Sequence, residues 1–379
     1  MKKLSKKQRL LDVKTAILHR HKEKEKDNKK NASSSNKRWV GRNDEIDVLI
    51  NKGLSISLSK NRDLTINLPE EMNFSKKYDE TILYIIAIRR LAATIANPYK
   101  AYRLKSVNFN RLKKISTSAA LVLTAELSKW DDATRQRLRP MTDNWDADIL
   151  KKFIDLGFFD LFKTPPNISS NNSPSTLPRS DLVRYIKGRC GEAKKTRELK
   201  DELIKIVGDP IDKWMFLRGG LDEAITNVSH HAYPDNGMIS ENNKNWYLTG
   251  SYNGSSKELK IVFYDQGIGI PKSLPASKIW ERALEVLSLF PAGERKLDEV
   301  LLKAAVELDR TSTNKSDRGK GLQDMLEFIR QRREGYLSIL SSRGLYKLSV
   351  SNGKELVKSE HFDDPISGTL IIWSATLQN

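Results

Sequence analysis

The sequence predicts an α/β protein made of two units on either side of a polar linker. Three observations carry this reading. Segments of period-two apolar alternation interleave with segments of helical period along 379 residues, a length sufficient for two domains. Residues 164–180 hold four prolines among Ser and Asn with no apolar period, the composition of a linker. The charge is also lopsided. The chain carries a net +18, and +10 of it falls in residues 1–40, which read as a basic flexible tail. The units are therefore expected at 41–163 and 181–379.

Composition sets further bounds. Hydrophobic residues make up 38 % of the chain, enough for real cores. No run of about 18 apolar residues occurs, so no membrane span is expected. Lys2, Lys3, Lys6, Lys7 and Arg9 precede no apolar stretch of the kind a secretory signal needs, and a cytoplasmic protein is expected. The single cysteine, Cys190, excludes an internal disulfide and leaves no cysteine cluster for zinc.

In chain order, Leu10, Leu11, Val13, Ile17 and Leu18 give a partial helical stripe inside the basic tail. His19 and His21 sit there as solvated residues. Leu64–Leu68 alternates as a short strand. Residues 80–96 have helical period and length, and residues 101–108 are extended. Ser116, Thr117 or Ser118 caps a helix continued by Ala119, Leu121, Val122, Ala125 and Leu127. An amphipathic helix from Asp146 ends at Gly157. Beyond the linker, Leu182–Ile186 reads as a strand and Glu192–Val207 as a helix. A second helix begins near Asp209 and runs into Gly219–Asp235. Trp246–Tyr252 and Glu258–Tyr264 alternate as strands. Residues 278–289 and 296–308 are helical. Gly321 opens a helix to Arg332, and 336–341, 345–350 and 368–377 close the chain as strands.

Three stretches carry chemistry. In Gly219–Asp235, at 100° per residue, Leu221, Ile225, Val228 and Ala232 form an apolar arc. Glu223, Asn227 and His231 form a second, polar one, either a solvated face or a functional wall. Asn227 offers an oxygen to a metal ion, and Glu223 one turn earlier can hold or deprotonate water. Next, Asp265-Gln266-Gly267-Ile268-Gly269 follows a strand. Gly267 and Gly269 allow close backbone approach, and ionised Asp265 accepts from an exocyclic amine such as that of adenine. Finally, Arg318-Gly319-Lys320-Gly321-Leu322 precedes a helix. Free N–H groups at Gly319 and Gly321 suit phosphates, with Lys320 or Arg318 to neutralise the γ-phosphate. The G-x-x-x-x-G-K-[ST] spacing of a P-loop is absent.

Each stretch alone is weak. Together, in this order, they resemble the N, G1 and G2 boxes of the GHKL (histidine-kinase-like) ATPase superfamily, over about residues 181–377. The resemblance is nearest to anti-sigma-factor kinases. It implies a two-layer α/β sandwich with a mixed sheet, binding ATP and Mg²⁺. Carried over, Asn227 is the Mg²⁺ ligand, Asp265 reads adenine, and Gly267 and Gly269 shape its pocket. Gly319 and Gly321 wrap phosphates, Glu223 is the candidate general base, and Thr369 belongs to a terminal glycine–threonine element. Residues 272–317 become a lid, and His231 falls at the helix end. Residues 63–162 resemble a STAS-like domain, in which Thr117, flanked by Ser116 and Ser118, stands at the family's phosphorylation position. The family's D-S-S-G is here S-T-S-A, Ser116 to Ala119.

The resemblance implies a regulatory protein that hydrolyses ATP or transfers its γ-phosphate to a protein Ser/Thr. The alternative is an ATP-gated binding module with little turnover. The expected partners are ATP and a regulatory protein. Nucleic acid through the basic tail and a homodimer are left open, and no membrane partner is expected.

Overall fold

The computed structural model describes residues 41–59, 63–93, 103–163, 181–190, 192–233, 244–277, 280–307 and 321–377. The basic tail with its helical stripe and His19 and His21, and the expected linker, lie outside the described residues.

The N-terminal half runs α1 (Gly41–Asn51), β1 (Ile56–Leu58), β2 (Asp63–Asn67), β3 (Glu71–Met72), α2 (Tyr78–Ala93), β4 (Arg103–Asn108), β5 (Lys114–Ile115), α3 (Thr117–Ser128), α4 (Asp132–Arg137) and α5 (Ala147–Leu156). Its sheet is ordered β1-β2-β4, antiparallel then parallel, and β3 pairs with β5 in parallel. The fold class is α/β, as expected.

The α3 helix shows why. Ser116 takes an extended conformation, and its hydroxyl accepts from the Ala119 N–H at 3.2 Å. That satisfies one of the donors a helix start leaves open. Thr117 to Leu127 are all buried. A helix apolar on every side must be covered on every side, and α3 is covered by the rest of its own half and by the C-terminal sheet.

That sheet is built from β6 (Ile186–Arg189), β7 (Asn245–Asn253), β8 (Glu258–Asp265), β9 (Gly335–Ser351) and β10 (Lys354–Thr376), ordered β6-β7-β8-β10-β9. The expected mixed sheet is corrected here: the pairings are antiparallel throughout. Hairpins supply β7–β8 and β9–β10. The helical excursion between β8 and β9 delivers β9 beyond β10, so no parallel neighbour arises. The β9–β10 turn is Asn352-Gly353 with φ of 51° and 76°, the left-handed pair a two-residue hairpin requires.

Alternation divides the sheet into two faces. Leu259, Ile261 and Phe263 of β8 share a core with Trp246, Leu248, Ile371 and Trp373. The helices α6 (Thr196–Val207), α7 (Trp214–Asn227), α10 (Asp298–Glu307) and α11 (Gly321–Arg332) cover that face, and α11 lies along α7. Val262 and Tyr264 point the other way, with Tyr247, Leu340, Leu370 and Ile372, into the core of the N-terminal half. The sheet is therefore the middle of three layers rather than one of two. The two halves share one core.

Polar contacts fix the junction. Arg89 of α2 donates to both carboxylate oxygens of Glu126 on α3, Nε at 2.8 Å and Nη2 at 2.5 Å. Glu126 is only 2 % exposed. Across the junction its Oε1 also accepts from Tyr264 Oη at 3.3 Å and Gln266 Nε2 at 3.0 Å. Further along α3, Ser128 bonds Tyr247 Oη at 2.5 Å, and Thr117 bonds Ser251 at 3.3 Å. On the far side, Phe362 in the β10 bulge stacks on Tyr78 at 3.7 Å. Lys52 pairs there with Asp364.

Truncating Glu126 leaves the Arg89 cation and two donors partnerless between packed layers. Glu126→Ala is expected to destabilise the chain by about 3–5 kcal/mol, and Arg89→Met/Glu126→Leu by clearly less. Urea unfolding followed by tryptophan fluorescence reads both. Equal losses in the two variants would show that only shape, and not the charge, matters at this junction.

Candidate functional site

Of the predicted site residues, Asp265, Gly267, Gly269 and Thr369 meet where β8 ends. Asp265 is the last residue of β8 and pairs with Thr369 of β10 on one side and Trp246 of β7 on the other. Its carboxylate is 4 % exposed and accepts from the Gly267 N–H at 2.8 Å. The Thr369 hydroxyl and N–H also lie within hydrogen-bonding reach of it. Burial pushes its pKa up to about 6. The two hydrogen-bonding neighbours and the charge of Lys129 oppose that shift.

The loop that follows is held from both sides. The Ile268 N–H donates to Ala232 O at 2.9 Å. A Cβ on Gly267 would stand 2.5 Å from the Ala232 carbonyl oxygen, so only glycine lets the loop press onto that helix end. Gly269, at φ +85°, faces Ser341 and Ser342, and a Cβ there would stand 2.9 Å from Ser341 Oγ. Ser341 Oγ accepts from the Ile270 N–H at 2.8 Å and bonds Thr369 Oγ1 at 3.1 Å. Both glycines thus serve packing of the loop against protein.

Asn227 and Glu223 lie on α7. Both are half-buried, one turn apart as the α-helical period requires. The α winding stops at Asn227, and Val228–Ala232 continues as a π-helix. Single π turns inside helices recur at functional sites. The wider turn changes the angular position of His230 and His231, so the three-residue stack expected at constant 100° does not extend unaltered to His231. Tyr233, just beyond, donates to Asn245 O at 2.8 Å and accepts from the Gln266 N–H at 3.3 Å. The end of the Asn227 helix is thereby tied to the Asp265 loop.

Arg318, Gly319 and Lys320 lie outside the described residues. Gly321 and Leu322 open α11. The segment expected to form a lid, residues 272–317, is described as α8 (Ile270–Ser273), a 3-10 turn at Leu274–Ala276, α9 (Trp280–Ser288) and α10. Leu302, Ala305 and Val306 of α10 belong to the core. Up to Glu307 this segment is integral to the fold, and 308–317 lie outside the described residues.

Thr117 is 7 % exposed, and its hydroxyl faces Ser251. Ser116 is the residue that caps α3. The hydroxyl that the STAS-like resemblance singles out is therefore covered by β7.

Residues not singled out from sequence complete the arrangement. Glu126 binds both neighbours of Asp265, namely Tyr264 and Gln266. Burial raises the Tyr264 hydroxyl pKa well above its usual value, and the Glu126 charge adds to this. Gln266 Oε1 is buried without a hydrogen-bond donor among the described residues. The available signal is a lone acid inside the apolar run Ala119–Leu127 and two arginines, Arg89 and Arg90, in the apolar helix α2.

Among the described residues no group of three or more His, Cys, Asp or Glu could hold a metal ion. No helix there is long and apolar enough to cross a membrane. No protein-family model matches the sequence, and comparison with curated proteins and with solved structures gives no match.

A buried carboxyl with a raised pKa has a definite linkage sign. Between about pH 4, where the unfolded Asp titrates, and about pH 6, the folded state binds more protons. The contribution of Asp265 to stability is thus greatest below pH 4 and is lost as pH rises through about 6. Asp265→Asn removes this titration. The stability difference between wild type and Asp265→Asn should shift by about 2 kcal/mol against wild type from pH 4 to pH 7. Denaturant titration across that range reads it, and a pH-independent difference would contradict the buried titration.

Proposed function

We propose that the chain is a Mg²⁺-dependent ATP-binding regulatory protein of the GHKL type. In this reading its C-terminal half carries the nucleotide site and its N-terminal half is a STAS-like sensor or interaction unit. One observation carries it above the others. Three motifs far apart in sequence meet at one strand end: Asp265 with its glycine loop, Thr369 beside it, and the end of the Asn227 helix docked on that loop through Ala232 and Tyr233.

Asp265 is the acceptor for the adenine amine when ionised. Asn227 supplies an amide oxygen to Mg²⁺. Mg²⁺ keeps several waters and takes phosphate oxygens, so one amide ligand with substrate phosphates would suffice. Bound Mg²⁺ would screen the phosphate charge. Glu223, one turn before Asn227, is placed to orient or deprotonate a water or a hydroxyl. Gly321 at the start of α11 offers backbone N–H groups to phosphates, with Arg318, Gly319, Lys320 and Leu322 completing that motif.

The reaction is ATP hydrolysis or transfer of the γ-phosphate to a protein Ser or Thr. The buried Thr117 makes transfer onto the chain's own α3 the less favoured route. The second reading is an ATP-gated binding module with little turnover. The contact of Glu126 with both neighbours of Asp265 favours it, since a change at the loop reaches the N-terminal half directly.

Fluorescent ATP titration with Mg²⁺ and [γ-³²P]ATP turnover test this together. Asp265→Asn should weaken binding about tenfold or more, the value of a charged hydrogen bond. Binding should also weaken below about pH 6, where Asp265 ceases to be acceptor-only. Glu223→Ala should keep binding and lose phosphate release or transfer. Wild type that fails to bind ATP at millimolar concentration, or an Asp265→Asn variant that binds as wild type, rules the reading out. Binding without turnover selects the gated module.

A further inference from the structure

A separate surface lies at the free edge of the five-stranded sheet. Among the described residues no strand pairs with the outer edge of β6. Gly188 is in register with Trp246, which is in turn in register with Asp265. Trp246 and Asp265 share one face of the sheet, as directly opposed residues do. A Cβ on Gly188 would stand 2.0 Å from the Trp246 ring, so glycine seats the strand on that side chain. Trp246 Nε1 donates to Arg189 O at 2.9 Å and fixes the strand end. Lys187 points to the opposite face, its Nζ 5.8 Å from the Tyr247 ring centroid. This face is therefore distinct from the one carrying Asp265.

Cations gather on it from several elements. Lys195, in the 3-10 turn Ala193–Lys195, donates to Lys187 O at 2.7 Å. Arg135 of α4 pairs with Asp132, and Lys163 reaches the same carboxylate at 3.6 Å. Glu192 accepts from the Arg189 N–H at 2.8 Å and pairs with Lys195 at 2.9 Å. Lys187 and Arg189 enter no ion pair among the described residues, and both are exposed. Although Lys187 is exposed by surface area, crowding of its ammonium by the surrounding protein lowers its pKa, and the charges of Arg135, Arg189 and Lys195 lower it further. Asp132 and Glu192 are engaged by these cations, and Asp160 nearby is paired with Arg184, which leaves Lys187 and Arg189 as the unpaired cations of the group among the described residues.

We propose that this face binds the phosphate backbone of a nucleic acid, with Lys187 and Arg189 as the principal phosphate contacts and Arg135, Lys163 and Lys195 around them. A polyanion relieves the mutual repulsion and releases its counterions on binding. None of the exposed large apolar side chains among the described residues lies on α4, β6 or the 3-10 turn. The face thus lacks the apolar stripe that inserts into a membrane surface and the apolar anchor that dominates protein interfaces. The +10 of residues 1–40 supplies further, sequence-independent attraction to the same ligand. The inference is independent of the nucleotide site.

Fluorescence anisotropy of the full chain with a labelled mixed-sequence DNA duplex of about 20 base pairs, from about 50 to 200 mM KCl, tests it. Lys187→Glu/Arg189→Glu should weaken binding at least about tenfold at 100 mM and lower the slope of log K against log salt by about 2. Lys76→Glu/Lys77→Glu, the same charge change at exposed residues before α2, should alter affinity by no more than about threefold. If the Glu variant fails to fold by circular dichroism, Lys187→Gln/Arg189→Gln replaces it, with the same direction expected. Absence of duplex binding by wild type overturns the proposal. So does unchanged binding by the Lys187/Arg189 variant, which assigns binding to the basic N-terminus. An equal effect of the Lys76/Lys77 control assigns it to net charge alone. Tighter binding to phosphatidylserine vesicles than to the duplex assigns the face to a membrane surface.

Discussion

The Glu126 carboxylate ties the architecture together. A charge only 2 % exposed is tolerated because every direction around it is filled by a donor: Arg89 from its own half, Tyr264 and Gln266 from the other. Such a group contributes little net stability over a well-packed apolar substitute, because desolvation offsets most of the attraction. Its effect is on specificity. Any other docking of α3 on the sheet would leave an uncompensated charge between two layers. The register of α3 along β7 follows, with Thr117 beside Ser251 at one end and Ser128 beside Tyr247 at the other.

Much of this fold was legible in the sequence, for identifiable reasons. β8 alternates at its start, Glu258 to Ile261, where one face is open, and becomes an unbroken apolar run to Tyr264 where both faces are buried in different cores, and α5 ends at Gly157 because only glycine readily adopts φ +82° there. β1, β3, β5, α1 and α4 were missed. They are short, or expose most of their side chains, and so carry little period. The distal part of β10, from Lys354, was missed for the same reason: it is held by its hairpin turn rather than by an apolar face. The strand expected at Leu182–Ile186 is regular only from Ile186; before it, Leu182 bridges Ser251, and Asp181 O and the Val183 N–H bond the backbone of β7.

The candidate site was legible as chemistry and illegible as geometry. Asp265, Thr369 and Asn227 are singled out by residue type; Asp265 and Thr369 are cross-strand neighbours, and the helix of Asn227 reaches their loop through Ala232 and Tyr233. The glycines were expected to admit a ligand, whereas in the fold they admit Ala232 on one side and Ser341 on the other. The π turn after Asn227 has no counterpart in the apolar period, and it ends where Ala232 O accepts from the Ile268 N–H of the loop. Glu126 acts through a contact more than a hundred residues distant, which periodicity does not register.

A strand that is buried on both faces has one further consequence. Successive side chains of β8 point to opposite layers, so Asp265 faces the helical side while Tyr264 reaches the N-terminal half, joined there by Gln266. All three share one short stretch of backbone, pinned by Thr369 on one flank and Trp246 on the other. A ligand that pulls on the Asp265 carboxylate must therefore either leave the backbone still or move both donors of Glu126 with it. Packed interiors do not deform continuously; they move between discrete arrangements. A small displacement at the proposed nucleotide loop thus has a direct mechanical outlet, the Arg89–Glu126 pair. That outlet requires no movable linker between the halves, because the halves already share a core.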